Sequence, residues 1–321
     1  MIQPAPGGSS QAFPVSGSQT TPGGECAIET PGTAVRVEAV GAASSLSGSS
    51  PLVVIEPRRA WQLVDGPALW RYRELLAILV YRDISVRYKQ TVLGAAWAVG
   101  QPLLQLAAFW LFFGRMGGLA DKVEGDYSLF LLAGLLPWQL FATGVGQAAQ
   151  SVVQNQNLIS KVYFPRLVVP VAALGSAVVD FAVACLVALP WLVWRGVGWH
   201  ASQWLVPVFG VGVIVATLAV GVGLSALVAE FRDFRYVTNF LLQIWMFVSP
   251  VAYPLSVVPG RWQWVYALNP LVGLISGLRS ALLGQPFAWG PILVSVAALL
   301  VLLGVGLACF QRVEQRLADI V

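Results

Sequence analysis

The 321-residue chain is 57% hydrophobic and only 11% charged, whereas about a quarter of the residues of a soluble domain are charged. This composition excludes an ordinary soluble domain, and several stretches of about 20 apolar residues fit the hydrocarbon core of a bilayer. The formal net charge of +4 is not evidence of nucleic-acid binding, because in a membrane protein the positions of Lys and Arg matter more than their sum.

The chain begins with about 60 residues that are rich in Pro, Gly and Ser and lack the basic and apolar regions of a signal peptide. This composition is typical of disorder, so residues 1–60 are predicted to be a disordered cytosolic extension. In residues 61–90, apolar side chains recur on one side of a helical wheel, although Asp83 and Arg87 share that side. The pattern favours a helix at the cytosolic interface of the membrane; a short helix packed on the spans is the alternative.

Six apolar stretches after residue 90 are predicted to be transmembrane helices. Between the fifth and the sixth, prolines break the chain repeatedly, so the region 254–286 is predicted to form one or two short re-entrant or interfacial helices. The expected fold is an all-α integral membrane protein with six transmembrane helices, an N-terminal interfacial helix and short re-entrant helices before the last span. The spans are expected at about 92–114, 127–149, 167–194, 202–228, 237–253 and 291–310.

Lys and Arg set the expected orientation, because the cytosolic loops of membrane proteins are enriched in these residues. If the N-terminus is cytosolic, all but five of the 19 Lys and Arg lie on the cytosolic side. Both termini are therefore predicted to be cytosolic, since the reverse orientation places the excess of positive charge outside. The five residues expected outside are Arg115, Lys122, Arg195, Arg261 and Arg279.

No catalytic or metal site is predicted. The only histidine is His200 and the three cysteines are far apart, which argues against a metal cluster or a Ser-His-Asp triad. None of the three lysines, Lys89, Lys122 and Lys161, stands in a P-loop pattern. ATP that drives this protein must therefore bind to another chain. A membrane-embedded transferase would need acid/base residues, and the acidic cluster available to it, 121–126, is interpreted as a solvated loop.

Polar residues inside the predicted spans are costly unless they face a cavity or a partner helix. Asp180, in the third span, is either a proton relay or, the favoured interpretation, a hydrogen-bonded structural residue. Amides and an aromatic side chain share one face of the first span, and two amides share a face of the fifth. They suit sugar hydroxyls and ring faces, but hydrogen bonds between helices are an equal alternative. These residues are Trp97, Gln101, Gln105, Asn239 and Gln243.

Two predicted cytosolic turns are candidates for contact with a partner protein. The first, 150–166, is polar with interspersed aromatic residues, and the second, 229–236, alternates acidic and basic residues. Short charged turns can dock into a partner and transmit its movement. Ordinary solvated loops have the same composition, and charge alone favours that interpretation.

Five segments of the chain resemble, in the same order, the ABC-2 type permeases that export O-antigen, capsule, teichoic acid and related glycans. The first segment contains RDISVRYKQTVLGAAW and the last contains YALNPLVGLISGLRS. Together the segments cover most of the chain after about residue 70, and their shared order makes the resemblance specific. The segments are 82–115, 134–141, 157–170, 231–254 and 266–284.

The resemblance implies a transport subunit rather than an enzyme. Residues 91–321 would be the ABC-2 transmembrane domain of an ATP-driven exporter that moves a lipid-linked polysaccharide, O-antigen or a similar cell-surface glycan, across the bacterial cytoplasmic (inner) membrane. It implies a homodimer with two separate ABC ATPase subunits, which bind ATP and Mg, and no cofactor on this chain. An ABC-2 permease for a small lipid or drug has the same fold. A membrane-embedded glycosyltransferase and an ion-coupled transporter are further alternatives.

The resemblance also implies roles for individual residues. The helix 74–89 would be an interface or gate helix at the cytosolic mouth, and the channel would form between two subunits, mainly from the first and fifth spans. It identifies the two turns as ATPase-contacting elements, against the solvated-loop interpretation. The gate residues would be Arg82, Asp83, Arg87, Tyr88 and Lys89. The ATPase-coupling residues would be Asn155, Asn157, Lys161, Tyr163, Pro165, Arg166, Glu230, Arg232, Asp233 and Arg235.

Overall fold

A computed structural model of the chain describes residues 66–89, 94–123 and 125–320. Within these residues the protein contains helices and no strand, which confirms the predicted all-α class. The predicted N-terminal extension lies outside the described residues. The α-helices are α1 Gly66–Arg71, α2 Arg73–Lys89, α3 Gly94–Phe109, α4 Tyr127–Gln154, α5 Gln156–Lys161, α6 Val168–Trp194, α7 Val206–Glu230, α8 Phe234–Val248, α9 Gly260–Tyr266, α10 Pro270–Leu283 and α11 Trp289–Ile320.

Four helical segments in the described part of the chain are long and apolar enough to cross a membrane. The pair α9–α10 bends by 108°, and if this pair counts as a broken span the number rises to five. The predicted number of six therefore stays a prediction. The four segments are Tyr127–Gln154, Val168–Trp194, Ala201–Glu230 and Trp289–Glu314.

The first and fifth predicted spans are shorter than the others as α-helices. α3 has 16 residues and continues as a π-helix through Trp110–Met116. α8 has 15 residues, about 22 Å at 1.5 Å per residue. The prediction that the fifth span continues to residue 253 is wrong, because the helix ends at Val248 and Ser249 is extended. The ring of the following Pro250 disfavours helical backbone at Ser249.

α4 is the central helix of the fold. It packs against α6, α7 and α10. In its most apolar stretch of 18 residues 78% of the residues are buried, against at most 44% in the same stretch of the other three spans. Asp126 caps the helix, since its Oδ1 accepts from the Ser128 backbone N–H at 2.8 Å. Gly144 permits a close approach to α6 and α7: a Cβ there would lie 2.5 Å from Thr217 and 2.7 Å from Leu174. Because α4 is buried among α6, α7 and α10, it positions these helices relative to one another.

α2 packs on the protein along α6. Leu79 is buried in an apolar cluster with residues of the α6 start and with Phe164. Further along, Val80 lies against Gly175, where an added Cβ would come within 2.6 Å of the valine side chain. The helix predicted between residues 61 and 90 therefore exists, and its apolar side contacts α6, as in the alternative of a helix packed on the spans.

Candidate functional site: the gate, coupling and channel regions

The C-terminal end of α2 is bonded to Asp180 in the middle of α6. Arg87 Nη1 lies 2.5 Å from Asp180 Oδ2, and the Tyr88 hydroxyl donates to Asp180 Oδ1 at 2.5 Å. Of the two interpretations of Asp180, these contacts support the hydrogen-bonded residue.

α4 joins the same polar cluster through Gln147. With its amide oxygen toward the guanidinium, Gln147 accepts from Arg87 Nη1 at 2.8 Å and donates to the Ala173 carbonyl at 3.0 Å. The cluster of Arg87, Tyr88, Gln147 and Asp180 thus connects α2, α4 and α6. We call it the Asp180 cluster. Two of its four residues, Arg87 and Tyr88, are sequence-predicted gate residues.

A second polar contact joins α2 to the predicted coupling segment. Arg82 Nη2 donates to Asn155 Oδ1 at 2.9 Å and also pairs with Asp83 at 2.8 Å. Asn155 ends α4, and its Nδ2 donates to the Ser151 carbonyl at 2.8 Å. The structure therefore brings together residues that the resemblance assigned to two groups, gate and coupling. Lys89, the last residue of α2, is exposed.

The short helix α5 carries the first predicted coupling segment and lies between two apolar clusters. Ile159 packs on the cluster formed by α2 and the start of α6, and also on the cluster formed by α4, α7 and α11. On its other side, Asn157 and Lys161 are exposed, and Tyr163, two residues after the helix ends, is 76% exposed. α5 therefore contacts several helices while part of its surface remains open.

The residues that follow α5 connect it to α6 and α11. Phe164 is buried against α2, and Pro165 is half-buried. Arg166 Nη1 donates to the backbone carbonyl of Glu314 in α11 at 3.1 Å. The aromatic residues noted in this polar stretch therefore divide into one that is buried and one, Tyr163, that is exposed.

The second predicted coupling turn connects α7 and α8. Arg232, Asp233 and Arg235 are exposed, and Glu230 is half-buried. Glu230 also lines a groove of about 480 Å³ between the ends of α7 and α11, together with Arg312. This turn therefore presents charged side chains beside an open groove.

The predicted channel residues lie in different environments. Gln105 in α3 accepts a hydrogen bond from Gln139 Nε2 of α4, and its own Nε2 lies 3.7 Å from Met246 Sδ in α8. The contacts of Gln105 are therefore those of a hydrogen bond between helices, the alternative to a sugar-binding role. Gln101 is exposed, and the side chain of Trp97 lies outside the described residues.

α8 is covered on one side only. Of its fifteen residues, Thr238 and Leu242 are buried. Asn239 and Gln243 are exposed, and Phe240 is 65% exposed. The two predicted channel amides thus lie on a helix surface that a single chain leaves open.

Arg279 in α10 is a buried charge whose role the sequence did not indicate. It is 4% exposed, and its Nη2 donates to the carbonyls of Pro250 and Val251 at 2.9 and 3.0 Å. Its Nε donates to the Phe130 carbonyl at 3.2 Å. The guanidinium also lies 3.5 Å from the centre of the Phe130 ring. The signal available in the sequence was an arginine within an apolar run that follows several prolines, because prolines leave backbone carbonyls without helical donors.

Asn269 and Ser295 complete the polar contacts around α9 and α10. Asn269 caps α10 by accepting from Leu271 N at 3.1 Å, and the same oxygen accepts from Trp245 Nε1 of α8 at 3.0 Å. Ser295 of α11 accepts from Gly273 N at 2.9 Å and donates to the Ala267 carbonyl at 2.8 Å. These bonds fix the bend between α9 and α10.

Comparisons with known proteins agree with this architecture. Residues 74–283 match the ABC-2 type transporter family. The chain is 30% identical over 258 residues to an O-antigen export system permease protein RfbA of Myxococcus xanthus, covering 78% of this chain and 96% of the relative. It is 28% identical over 249 residues to the RfbA protein of Klebsiella pneumoniae, covering 77% and 95%. It is 28% identical over 245 residues to the polysialic acid transport protein KpsM of Escherichia coli, covering 74% and 92%. The chain belongs to the ABC-2 type transporter family.

Proposed function

We propose that this chain is the permease subunit of an ATP-driven exporter that moves a lipid-linked polysaccharide across the bacterial cytoplasmic membrane. The observation that carries the proposal is the similarity to relatives named for O-antigen export and polysialic acid transport, since the match covers 92% to 96% of those relatives. The proposed complex contains two copies of this chain and two ABC ATPase subunits, which bind ATP and Mg.

The position of α5 supports a coupling role. A partner that moves α5 moves Ile159, which packs on both neighbouring apolar clusters. It also shifts Asn155, which is bonded to Arg82 of α2. Since packed interiors transmit strain rather than absorb it, force on the exposed side of α5 reaches α2 directly.

The open surface of α8 supports a homodimer with a channel between the subunits. Asn239 and Gln243 are exposed in a single chain, and amides exposed to hydrocarbon are costly. A second copy placed against α3 and α8 encloses these amides in a polar passage. Gln101, exposed on α3, lies on the other helix that the proposed passage uses.

ATP supplies the driving force through the partner subunits. Their closure on ATP favours one arrangement of α5 and α2, and the difference in ATP affinity between the two states sets how far binding shifts them. Hydrolysis returns the subunits to the other arrangement and supplies the free energy for transport. The exposed side chains of Lys161, Tyr163 and Arg232 are the proposed contacts with the ATPase.

Co-purification tests the proposal. The tagged chain is co-expressed with the ABC ATPase subunits of its source organism, and ATP hydrolysis of the purified complex is measured. We expect a stoichiometric complex, and we expect Arg232→Glu and Lys161→Glu to lower ATPase binding or activity by about five- to tenfold. Lys122→Glu, an equal charge reversal at an exposed residue of a different loop, is the matched control and should have no effect.

The substrate is tested in cells. Deletion of the gene for this chain should abolish the surface polysaccharide of the source strain and leave lipid-linked glycan inside the cell. If the surface polysaccharide is unchanged and export of a phospholipid or of an added hydrophobic drug is altered, the substrate is a small lipid or drug and not a polysaccharide. A chain that purifies without an ATPase contradicts the whole proposal.

A further inference from the structure

Asp180 lies deep in the membrane wherever the bilayer is placed along α6. The helix has 27 residues, about 40 Å at 1.5 Å per residue, and Asp180 follows its first residue, Val168, by about 18 Å. A hydrocarbon core of about 30 Å placed anywhere along this helix leaves Asp180 at least about 8 Å inside either edge. The ion pair with Arg87 is therefore a charge pair at membrane depth.

The attraction within such a pair is largely offset by the free energy needed to remove both charges from water. Charged groups at this depth are expensive, and a buried ion pair is often no more stable than apolar residues of similar size. Asp180 nevertheless has a complete set of partners in Arg87, Tyr88 and, through Arg87, Gln147. Intramembrane ionisable residues with defined partners mark functional sites by default, which points to a movement that this contact controls.

α2 is held at two polar points, with an apolar contact just before them. Arg82 is bonded to Asn155 beside α5, and Arg87 is bonded to Asp180. These two points are about 7.5 Å apart along the helix axis, and Val80 packs closely on Gly175 just before them. A displacement of α5 therefore acts on one point while Asp180 holds the other, and the helix turns about Asp180 instead of separating from α6.

We propose that Asp180 is a positioning residue of the export cycle, the fixed point about which α2 turns when α5 moves. The inference rests on the proposed function. Through Arg87 and Tyr88, Asp180 converts movement at Asn155 into reorientation of α2. Without this fixed point, α5 still moves with the ATPase, but α2 follows incompletely and ATP is hydrolysed with little export.

The first experiment measures export per ATP hydrolysed. Surface polysaccharide of the source strain and ATPase activity of the purified complex are compared for wild type, Asp180→Asn, Asp180→Glu and the exchanged pair Arg87→Asp with Asp180→Arg. We expect Asp180→Asn to lower export per ATP by about tenfold. Asp180→Glu and the exchanged pair should recover a large part of it, because they restore an ion pair between the helices.

Asp126→Asn is the matched control. Asp126 pairs with Arg195 at 3.0 Å, and both arginines in the comparison are 41% exposed. This second pair also joins two helices, at the other end of α6, so it controls for the loss of an ion pair as such. Export per ATP should stay at the wild-type value in Asp126→Asn. An equal loss in both variants contradicts the proposal.

The second experiment needs no partner. Hydrogen exchange of the purified chain in lipid nanodiscs is followed in the peptides of α2, residues 73–89. Exchange at the C-terminal end of α2 should become faster in Asp180→Asn and stay unchanged in Asp126→Asn. If the wild-type chain binds no ATPase, the proposed function fails and this measurement still tests the fixed point. If the complex works normally and Asp180→Asn exports normally, the fixed point is wrong and the proposed function stands.

A proton relay gives a different pattern. If Asp180→Asn abolishes export, the exchanged pair fails to restore it, and a protonophore stops wild-type export at constant ATP, then Asp180 carries protons and the proposal is overturned. Recovery in the exchanged pair, with export insensitive to the protonophore, supports the fixed point.

Discussion

Polar side chains perform different tasks in the α9–α10 region and in the α2–α5 region. Around α9 and α10, Arg279, Asn269 and Ser295 bond mainly to backbone groups, and Arg279 and Ser295 are buried. Around α2 and α5, Arg82 and Arg87 bond to side chains and are 44% and 41% exposed. The first arrangement satisfies a broken backbone, and the second joins helices that are separate elements.

The difference follows from what each region must compensate. A chain broken by prolines leaves carbonyls without helical donors, and these groups must be satisfied when they lie at membrane depth. If the donor is removed, these carbonyls are left unsatisfied, so the bonds to them are required in every conformation of the protein. Side-chain pairs between intact helices can be exchanged or re-formed, because the helices satisfy their own backbones. Stability should therefore depend on the α9–α10 region and coupling on the α2–α5 region.

The largest effect is expected for Arg279→Met, a substitution of similar length without donors. It leaves the carbonyls of Pro250 and Val251 without their donor, at about 1–3 kcal/mol for each buried group. We expect unfolding to be easier by about 2–6 kcal/mol, measured as a lower thermal midpoint of the purified chain in detergent. Arg261→Met, at an exposed arginine of α9, should leave the midpoint unchanged. Equal midpoints for the two variants would contradict the assigned role of Arg279.

Gly134→Ala should have the next largest effect, because the space at this position of α4 holds a hydrogen atom and no methyl group. An added Cβ would lie 2.5 Å from Arg279 Nη2 and 2.7 Å from the Val251 carbonyl. Overpacking of this kind costs about 1–3 kcal/mol. Gly146→Ala in the same helix is the control, since its Cβ would meet nothing within 4 Å and alanine favours helix. The thermal midpoint should fall for Gly134→Ala and stay constant or rise for Gly146→Ala.

The parts of this fold that the sequence predicted are those that local pattern determines. Apolar runs identified the long helices, and the prolines between 250 and 286 identified the broken region that contains α9 and α10. The end of α8 was placed too late, although Pro250 itself marks it. α4 and α11 continue to Gln154 and Ile320, beyond their predicted spans, because polar residues can extend a helix into water without an apolar signal.

The contacts that define the candidate site could not be predicted, because they join distant parts of the chain. Asp180 and Arg87 are 93 residues apart, and nothing in either local sequence names the other. The sequence placed Arg279 only among the basic residues expected outside, and its partners belong to α4 and to the turn after α8. The family resemblance supplied gate and coupling residues as two groups, and the contact of Arg82 with Asn155 that joins them required the structure. Their roles stay predictions.

A smaller effect is expected for Tyr88→Phe, which sharpens the comparison from the α2 side. The substitution removes one hydrogen bond to Asp180 and keeps the ring and the Arg87 ion pair. Loss of a hydrogen bond to a charged group costs about 1.5–3 kcal/mol, so the thermal midpoint should fall less than in Arg279→Met, which leaves two carbonyls without their donor. Tyr81→Phe, at a tyrosine of α2 that is 68% exposed, is the control. A larger fall for Tyr81→Phe would contradict the Asp180 cluster.

The smallest effect is expected in the acidic loop between α3 and α4, and here a null result separates transport from catalysis. Asp121 is exposed and Asp126 caps α4; Glu124 lies outside the described residues. Asn is also a good N-cap, so a variant with Asp121→Asn, Glu124→Gln and Asp126→Asn should keep α4 capped and leave polysaccharide export intact. At the exposed Asp121 the change in stability should be about 0.5 kcal/mol or less. In a membrane-embedded glycosyltransferase these carboxylates would be the available acids and bases, and their loss would lower the rate by about 10² to 10⁴. Measuring surface polysaccharide in this triple variant therefore distinguishes the two classes of protein, because only a permease tolerates a loop without carboxylates.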